Sequence, residues 1–383
     1  MSEMDPILLC DPDLSGAELA AAAQLLRSPY LSAGPEIASF EAEFANYVGR
    51  GYAVAVSSAT LGLLCLLRAA EIGPGDEVIC APHGFREAAH AISLAGATPV
   101  FADIDYWSGT LAPGKAEEKL SPCTRAIMAG NANGHPAPWP ALRALAAGRG
   151  VMLIEDSSEA LGSRLNGQLI GTFGDASLFD FSLPSPLCCG EGAMVVTDDA
   201  TLAASIRLQA GRRLEERGSV LATATAPFQA TMSTLNAAIG RVQLRRLPEL
   251  LERRKLTEAI YGVHMQSFEG IKPPYEAPDV TEMHWMFYLV HLGTRFSRSS
   301  RDAIIDDLGV AGIAAVAYSS PLHLQRLYFD RGYRRGDFLV TEKIAERAIA
   351  LPFHAHLDAD EIEFIVETMK DASVNVGAGA AIY

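Results

Sequence analysis

Lysine is scarce in this chain. Of 31 basic residues among 383, six are lysines: Lys115, Lys119, Lys255, Lys272, Lys343 and Lys370. None lies between residues 120 and 254, so that stretch offers no side-chain amine as a nucleophile or Schiff-base partner. Positive charge is short in general: 46 acidic residues leave a net charge of −15. No nucleic-acid partner is therefore expected. Long apolar runs are missing too; none reaches the ~20 residues that a membrane span requires. The opening "MSEMDPILLCDPDL" carries an early acid and no basic segment, unlike a secretory signal. The six cysteines, Cys10, Cys65, Cys80, Cys123, Cys188 and Cys189, form no C-x-x-C pair. A chain of this length builds a core without disulfide staples. Together these absences predict a reduced, cytoplasmic, globular protein with no metal centre. Adjacent Cys188 and Cys189 have no His or Cys at ligand spacing and read as small buried thiols.

What is present is an alternation. Short apolar runs occur at 52–57, 77–82, 98–104, 125–130, 151–156, 176–181 and 193–197. Helix-length stretches such as 60–70, 86–95 and 138–148 separate most of them. Buried strands divided by helices predict an α/β fold with a mostly parallel sheet covered on both faces. Ser15 caps a predicted helix over 15–27. A long helical stretch over 235–256 leads into a smaller α/β region. The expected division is a large domain, 1–256, and a small C-terminal one, 257–383. No internal repeat is seen, and the tail "ASVNVGAGAAIY" is expected to fray.

In open parallel sheets, ligands bind at the carboxyl ends of the strands. "SSATLG" (57–62) follows the first strand and opens a helix, where free N–H groups suit a phosphate. Alone it reads more readily as a plain N-cap. Phe85 follows the second strand as a stacking plate or as core. Asp156 ends the strand 151–156, as a helix cap or a functional acid. A phosphate cup, an aromatic plate and an acid on one edge suit pyridoxal phosphate (PLP), whose ring nitrogen needs a carboxylate partner.

Longer stretches carry a resemblance. "SPYLSAGPEIASFEAEFANYVG" (28–49), "AVAVSSATLGLLCLLRAAEIGPGDEVI" (53–79), "AISLAGATPVFADID" (91–105), "LIEDSSEALGS" (153–163), "NAAIGRVQLRRL" (236–247), "PLHLQRLY" (321–328) and "LPFHAHLDADEI" (351–362) stand in family order and spacing. The chain resembles the DegT/DnrJ/StrS family of sugar aminotransferases over nearly its whole length. The resemblance implies an aspartate-aminotransferase-like PLP-transferase fold with a seven-stranded sheet. It also implies a homodimer with sites at the interface, and PLP or pyridoxamine phosphate (PMP) acting on keto-sugar nucleotides. Its phosphate loop S-G-T-A falls on Ser58, Ala59, Thr60 and Leu61. Its ring-stacking aromatic falls on Phe85 and its pyridine-nitrogen acid on Asp156. A family glutamine near the ring hydroxyl falls on Glu159.

The departures cluster. The family pattern F-S-F-x-x-x-K-x-x-x-x-G-E-G-G falls on "FDFSLPSPLCCGEGA" (179–193) with its length intact. Ser185 then stands at the Schiff-base lysine. Asp180 stands at a serine that contacts the cofactor phosphate, and Glu191 is the acid of G-E-G. Gln229 and Thr231 replace an asparagine and an arginine of a cross-dimer segment. Ala317 replaces a histidine on the substrate side. Asp156, Glu159, Asp180 and Glu191 are expected to share the old cofactor cavity and to disfavour a phosphate there. Three readings stay open. The chain is a silent, regulatory or partner subunit, perhaps of an active paralogue. Or it is an enzyme that works without the lysine, as relatives with histidine there do in sugar 3-dehydration. Or it is an ordinary aminotransferase aligned wrongly.

Overall fold

The computed structural model describes residues 6–31, 34–84, 86–211, 226–265, 271–272 and 274–379. A seven-stranded sheet forms its centre. The strands are Tyr52–Val56 (β1), Glu77–Cys80 (β2), Thr98–Phe101 (β3), Thr124–Gly130 (β4), Met152–Asp156 (β5), Ala176–Asp180 (β8) and Ala193–Thr197 (β9). A small hairpin, Arg164–Leu165 (β6) and Gln168–Leu169 (β7), sits between β5 and β8 in sequence. Spatial order is β1-β9-β8-β5-β4-β2-β3. Pairing is parallel from β3 through β8, and β9 runs antiparallel to both its neighbours.

Alternation along each strand feeds two cores. Val54, Val78, Met128, Ile154, Leu178 and Val195 pack on one face. That face is covered by Ala59–Ala69 (α3), Glu87–Ala95 (α4) and Ala200–Ala210 (α7). Ala53, Phe179, Met194 and Val196 face the other way, onto Pro35–Val48 (α2) and Thr234–Met265 (α8). Trp139–Arg149 (α6) extends that layer over Ile127 and Leu153.

The 32-residue α8 ties the molecule together. Its Arg246 reaches Asp13 and Glu18 (2.7 and 2.8 Å), anchoring the N-terminal helix Gly16–Leu26 (α1). Ser15 and Glu18 form a capping box at the start of α1. Farther along, buried Arg254 donates to the carbonyls of Trp285, Met286 and Phe353 at 2.7–3.0 Å. The division expected at 256/257 falls inside α8, which continues to Met265. Beyond it, Ile271–Lys272 (β10), Tyr288–Leu292 (β12), Ala348–Leu351 (β14) and Val316–Ala317 (β13) form a second, antiparallel sheet. That sheet shares a core with Arg298–Val310 (α9) and Ala359–Gly379 (α12). The strand Val280–Glu282 (β11) pairs with β6 across the two regions.

Candidate functional site

At the carboxyl ends of β5 and β8 a cavity of about 790 Å³ opens between the main sheet and the second one. One wall is the start of α3. Ser58 caps it, its Oγ accepting the Leu61 N–H at 3.4 Å. Ala59 is the first helical residue and is buried, so the alanine fits here without strain. Thr60 lines the cavity beside it. The first N–H groups of any helix lack intrahelical acceptors, which makes this wall the anion-tolerant one.

The last two residues of β5 point to opposite faces of the sheet. Glu155 is consumed by structure: its carboxylate accepts the Gly171, Phe173 and Gly174 N–H groups at 2.6, 2.9 and 3.2 Å. Asp156 has one backbone partner, the Ser158 N–H at 3.1 Å. Burial pushes its carboxyl up to about 7. Asp156 lines a smaller pocket that adjoins the cavity through Glu159. Glu159 is held by the Asn133 N–H (2.7 Å) and the Tyr318 hydroxyl (2.5 Å). Burial raises its pKa as well, and these two donors pull it back.

Asp180 ends β8 and lines the cavity. Its carboxylate accepts the Ser182 Oγ–H at 2.7 Å and the Ser182 N–H at 3.2 Å. It thus caps the next turn while still facing the open space, and burial raises its pKa. Glu191 and Glu87 line the same space, making four carboxylates with Glu159 and Asp180. Arg86 is the one basic side chain among the described lining residues; it pairs with Glu87 at 3.3 Å and is mostly exposed.

Ser185 does not line the cavity. The turn Ser182–Leu183–Pro184 supplies that stretch of wall. Ser185 is 5% exposed, its N–H donates to the Ser182 carbonyl at 2.9 Å, and its Oγ has no partner. A hydroxyl on one carbon is too short to cross the turn that a four-carbon amine would pass. Phe85 lies outside the described residues. Gln229 and Thr231 are exposed and absent from this cavity; Gln229 takes a left-handed backbone (φ 53°). Ala317 lines the cavity. Cys188 and Cys189 are free and buried. Among the described residues no group of three or more His, Cys, Asp or Glu side chains is placed to hold a metal ion.

Sequence reasoning missed Glu87, Arg86 and Tyr318. Glu87 opens α4, where an acid is favoured by the helix dipole, and that was the available signal. Tyr318 carried none, because its contact with Glu159 spans 159 residues.

These positions belong to a known family. The model of the DegT/DnrJ/EryC1/StrS aminotransferase family matches residues 12–370. The chain belongs to that family. The spore coat polysaccharide biosynthesis protein SpsC of Bacillus subtilis is 32% identical over 371 residues, covering 94% of this chain and 95% of the relative. Among solved structures, the putative sugar aminotransferase Spr1654 of Streptococcus pneumoniae in its PMP form superposes with a TM-score of 0.92 at 26% identity. It covers 98% of this chain and all of that one. DesV of S. venezuelae, solved with a ketimine intermediate, gives 0.88 at 30% identity, covering 97% and 99%. The fold is thus that of PLP-dependent aminotransferases.

The residues present fit that cofactor in part. The buried Asp156 carboxyl and the free N–H groups at the start of α3 are the kinds of group that a ring nitrogen and a phosphate require. The aldehyde form also needs an amine to hold it, and no lysine lines the cavity among the described residues. Asp180 faces the space beside the anion-tolerant wall. Covalent attachment does not fit these residues.

Proposed function

We propose that this family member serves sugar or nucleotide-sugar metabolism without transaminating. It acts as a silent, regulatory or partner subunit, as a cytoplasmic homodimer or beside an active paralogue. One observation carries the reading: the cavity wall that should present an amine is built from Ser182, Leu183 and Pro184, with Ser185 buried behind them. No other lysine lies between 120 and 254 to take its place. A serine hydroxyl neither forms a Schiff base nor acts as an amine base near neutral pH.

The test is covalent capture. The protein is incubated with PLP, reduced with borohydride and weighed intact. The expected result is no stoichiometric adduct on a single residue. An adduct mapped to one cavity residue would overturn the reading and restore an ordinary aminotransferase.

A second reading is favoured by Asp156, which ends β5 and lines the small pocket adjoining the cavity. In it, PMP is held without a covalent bond for a reaction on a keto-sugar nucleotide. Calorimetry separates the two. Micromolar PMP affinity supports the second reading, and absence of binding supports the first.

A further inference from the structure

The 790 Å³ cavity is short of positive charge. Glu87, Glu159, Asp180 and Glu191 line it, and Arg86 is the one base among the described lining residues. Arg86 is spent on Glu87, at 3.3 Å. Glu159, Asp180 and Glu191 then have no ion-pair partner among the described residues. The start of α3 opposes them with a partial charge of about +0.5, too little to balance three carboxylates.

Glu159 adds a separate observation. It is 8% exposed. Both of its donors, the Asn133 N–H and the Tyr318 hydroxyl, go to Oε2. Its Oε1 therefore has no donor among the described residues. Nor is Oε1 sealed into the wall, as the Ser158 and Ser185 hydroxyls are; it borders the open space. A buried carboxylate oxygen left without a donor is costly, so it calls for a partner from the cavity.

The acids also act on one another. Burial raises the carboxyl pKa of Asp156, Glu159 and Asp180, and Glu87 adds to the rise in each. Glu159 adds to that of Asp156, and Glu191 to that of Asp180. These groups share one space, and a cation entering it relieves their repulsion.

The rest of the wall selects the cation. Among the described residues no three acids converge as ligands for a metal ion. Leu183, Pro184, Met286, Phe287 and Leu322 line the same cavity. Apolar surface beside separated carboxylates matches a chain of methylenes that carries ammonium groups.

We propose that the acid-lined cavity binds a linear aliphatic polyamine, its ammonium groups on Glu159, Asp180 and Glu191 and its methylenes against the apolar wall. The ligand brings the cation that the chain does not supply. This rests on the reading above, that no cofactor is held there through a Schiff base.

Spermidine is titrated into the intact protein by calorimetry in about 0.15 M salt, where screening over about 8 Å suppresses diffuse attraction to a chain of net charge −15. One site per chain should saturate below about 1 mM. Glu159→Gln keeps the acceptor used by Asn133 and Tyr318, and Asp180→Asn keeps the side-chain shape. Each should weaken spermidine about tenfold, with circular dichroism unchanged. Asp306→Asn removes an exposed charge outside the cavity and should leave the affinity within about twofold. Mg²⁺ at equal charge concentration should not displace spermidine. Absence of saturable binding would overturn the proposal. So would displacement by Mg²⁺, or an equal loss in Asp306→Asn, since either would show diffuse charge attraction. Borohydride capture of PLP on the same sample decides the underlying reading. A stoichiometric adduct overturns both, whereas no adduct together with no spermidine binding overturns the polyamine site alone.

Discussion

Serine at 185 offers no amine, and it sits buried outside the cavity. Its Oγ is buried and unpaired, and Leu183 and Pro184 line the cavity where Ser185 does not. Restoring the amine alone leaves Asp180 in the cavity. Ser185→Lys is therefore expected to give no measurable amino transfer from glutamate to a keto-sugar nucleotide in the presence of PLP. Turnover by that single variant would show that the loss is isolated and the reading of a silent subunit wrong. Asp180 has its own prediction. A carboxylate ~4 Å from a phosphate charge costs about 4 kcal/mol at an effective dielectric of ~20. Ser182 donors and a raised pKa soften this. Asp180→Ser should still raise PMP affinity at least tenfold by calorimetry, and an unchanged affinity would mean that Asp180 does not oppose the phosphate. Asp156 bears on stability. Burial lifts its pKa from 3.8 to about 7, so the folded state holds a proton that the unfolded chain releases. That contribution is complete below pH 3.8 and is lost as pH rises through about 7. Glu159 and Asp180 are shifted the same way. Stability in denaturant should decrease from pH 5 to pH 8, by about 3 kcal/mol at most from Asp156. Asp156→Asn should flatten the fall; an equal slope in the variant would remove Asp156 as its source.

At the scale of elements, α3 shows how packing aims a site. It lies against β1, β8 and β9, and Gly62 permits the approach. A Cβ there would meet Val56 Cγ2 at 2.8 Å and Leu178 Cδ1 at 2.9 Å. Gly62→Ala should push the helix off the sheet and cost about 1–3 kcal/mol in urea unfolding. A neutral result would show that the helix start is free to shift. The same packing explains what the sequence could and could not say. All seven strands of the main sheet were legible, because Val54, Ile79, Ile127, Leu153 and Val195 belong to apolar runs buried on both faces. The hairpin β6–β7 was not, since two-residue strands leave no periodicity. Nor was the run of α8 to Met265. Pro248 and a polar surface blur its pattern, while Arg246 and Arg254 bind it to distant parts of the chain. In the site, Asp156 could be named from its place at a strand end, whereas Glu159 and Asp180 were legible through the family resemblance alone. Tyr318 could not, because its contact with Glu159 spans 159 residues, and Glu87 had only its place at the start of α4 to mark it.

On the scale of the whole molecule, the single chain leaves apolar surface uncovered. Between Leu19 and Leu31, four large side chains, Leu19, Leu26, Tyr30 and Leu31, are more than half exposed. Leu19 and Leu26 are seven residues apart on α1 and so share one face of that helix. The neighbouring face of α1, about 100° round the helix, is already committed through buried Glu18 and Leu25, with Glu18 bound to Arg246 of α8. A globular protein of net charge −15 gains nothing from such a stripe in water, and stripes of this kind mark interfaces. Gln229 and Thr231 are likewise exposed and do not line the acid-lined cavity. We therefore expect a dimer in sedimentation at micromolar concentration, with α1 at or near the contact. Leu19→Asp with Leu26→Asp places two charges on that face without touching the core, and should shift the species to monomer while circular dichroism is preserved. A wild-type protein that sediments only as monomer would refute the assembly itself. A double variant that remains dimeric would keep the assembly and move its contact away from α1, toward the Gln229 segment.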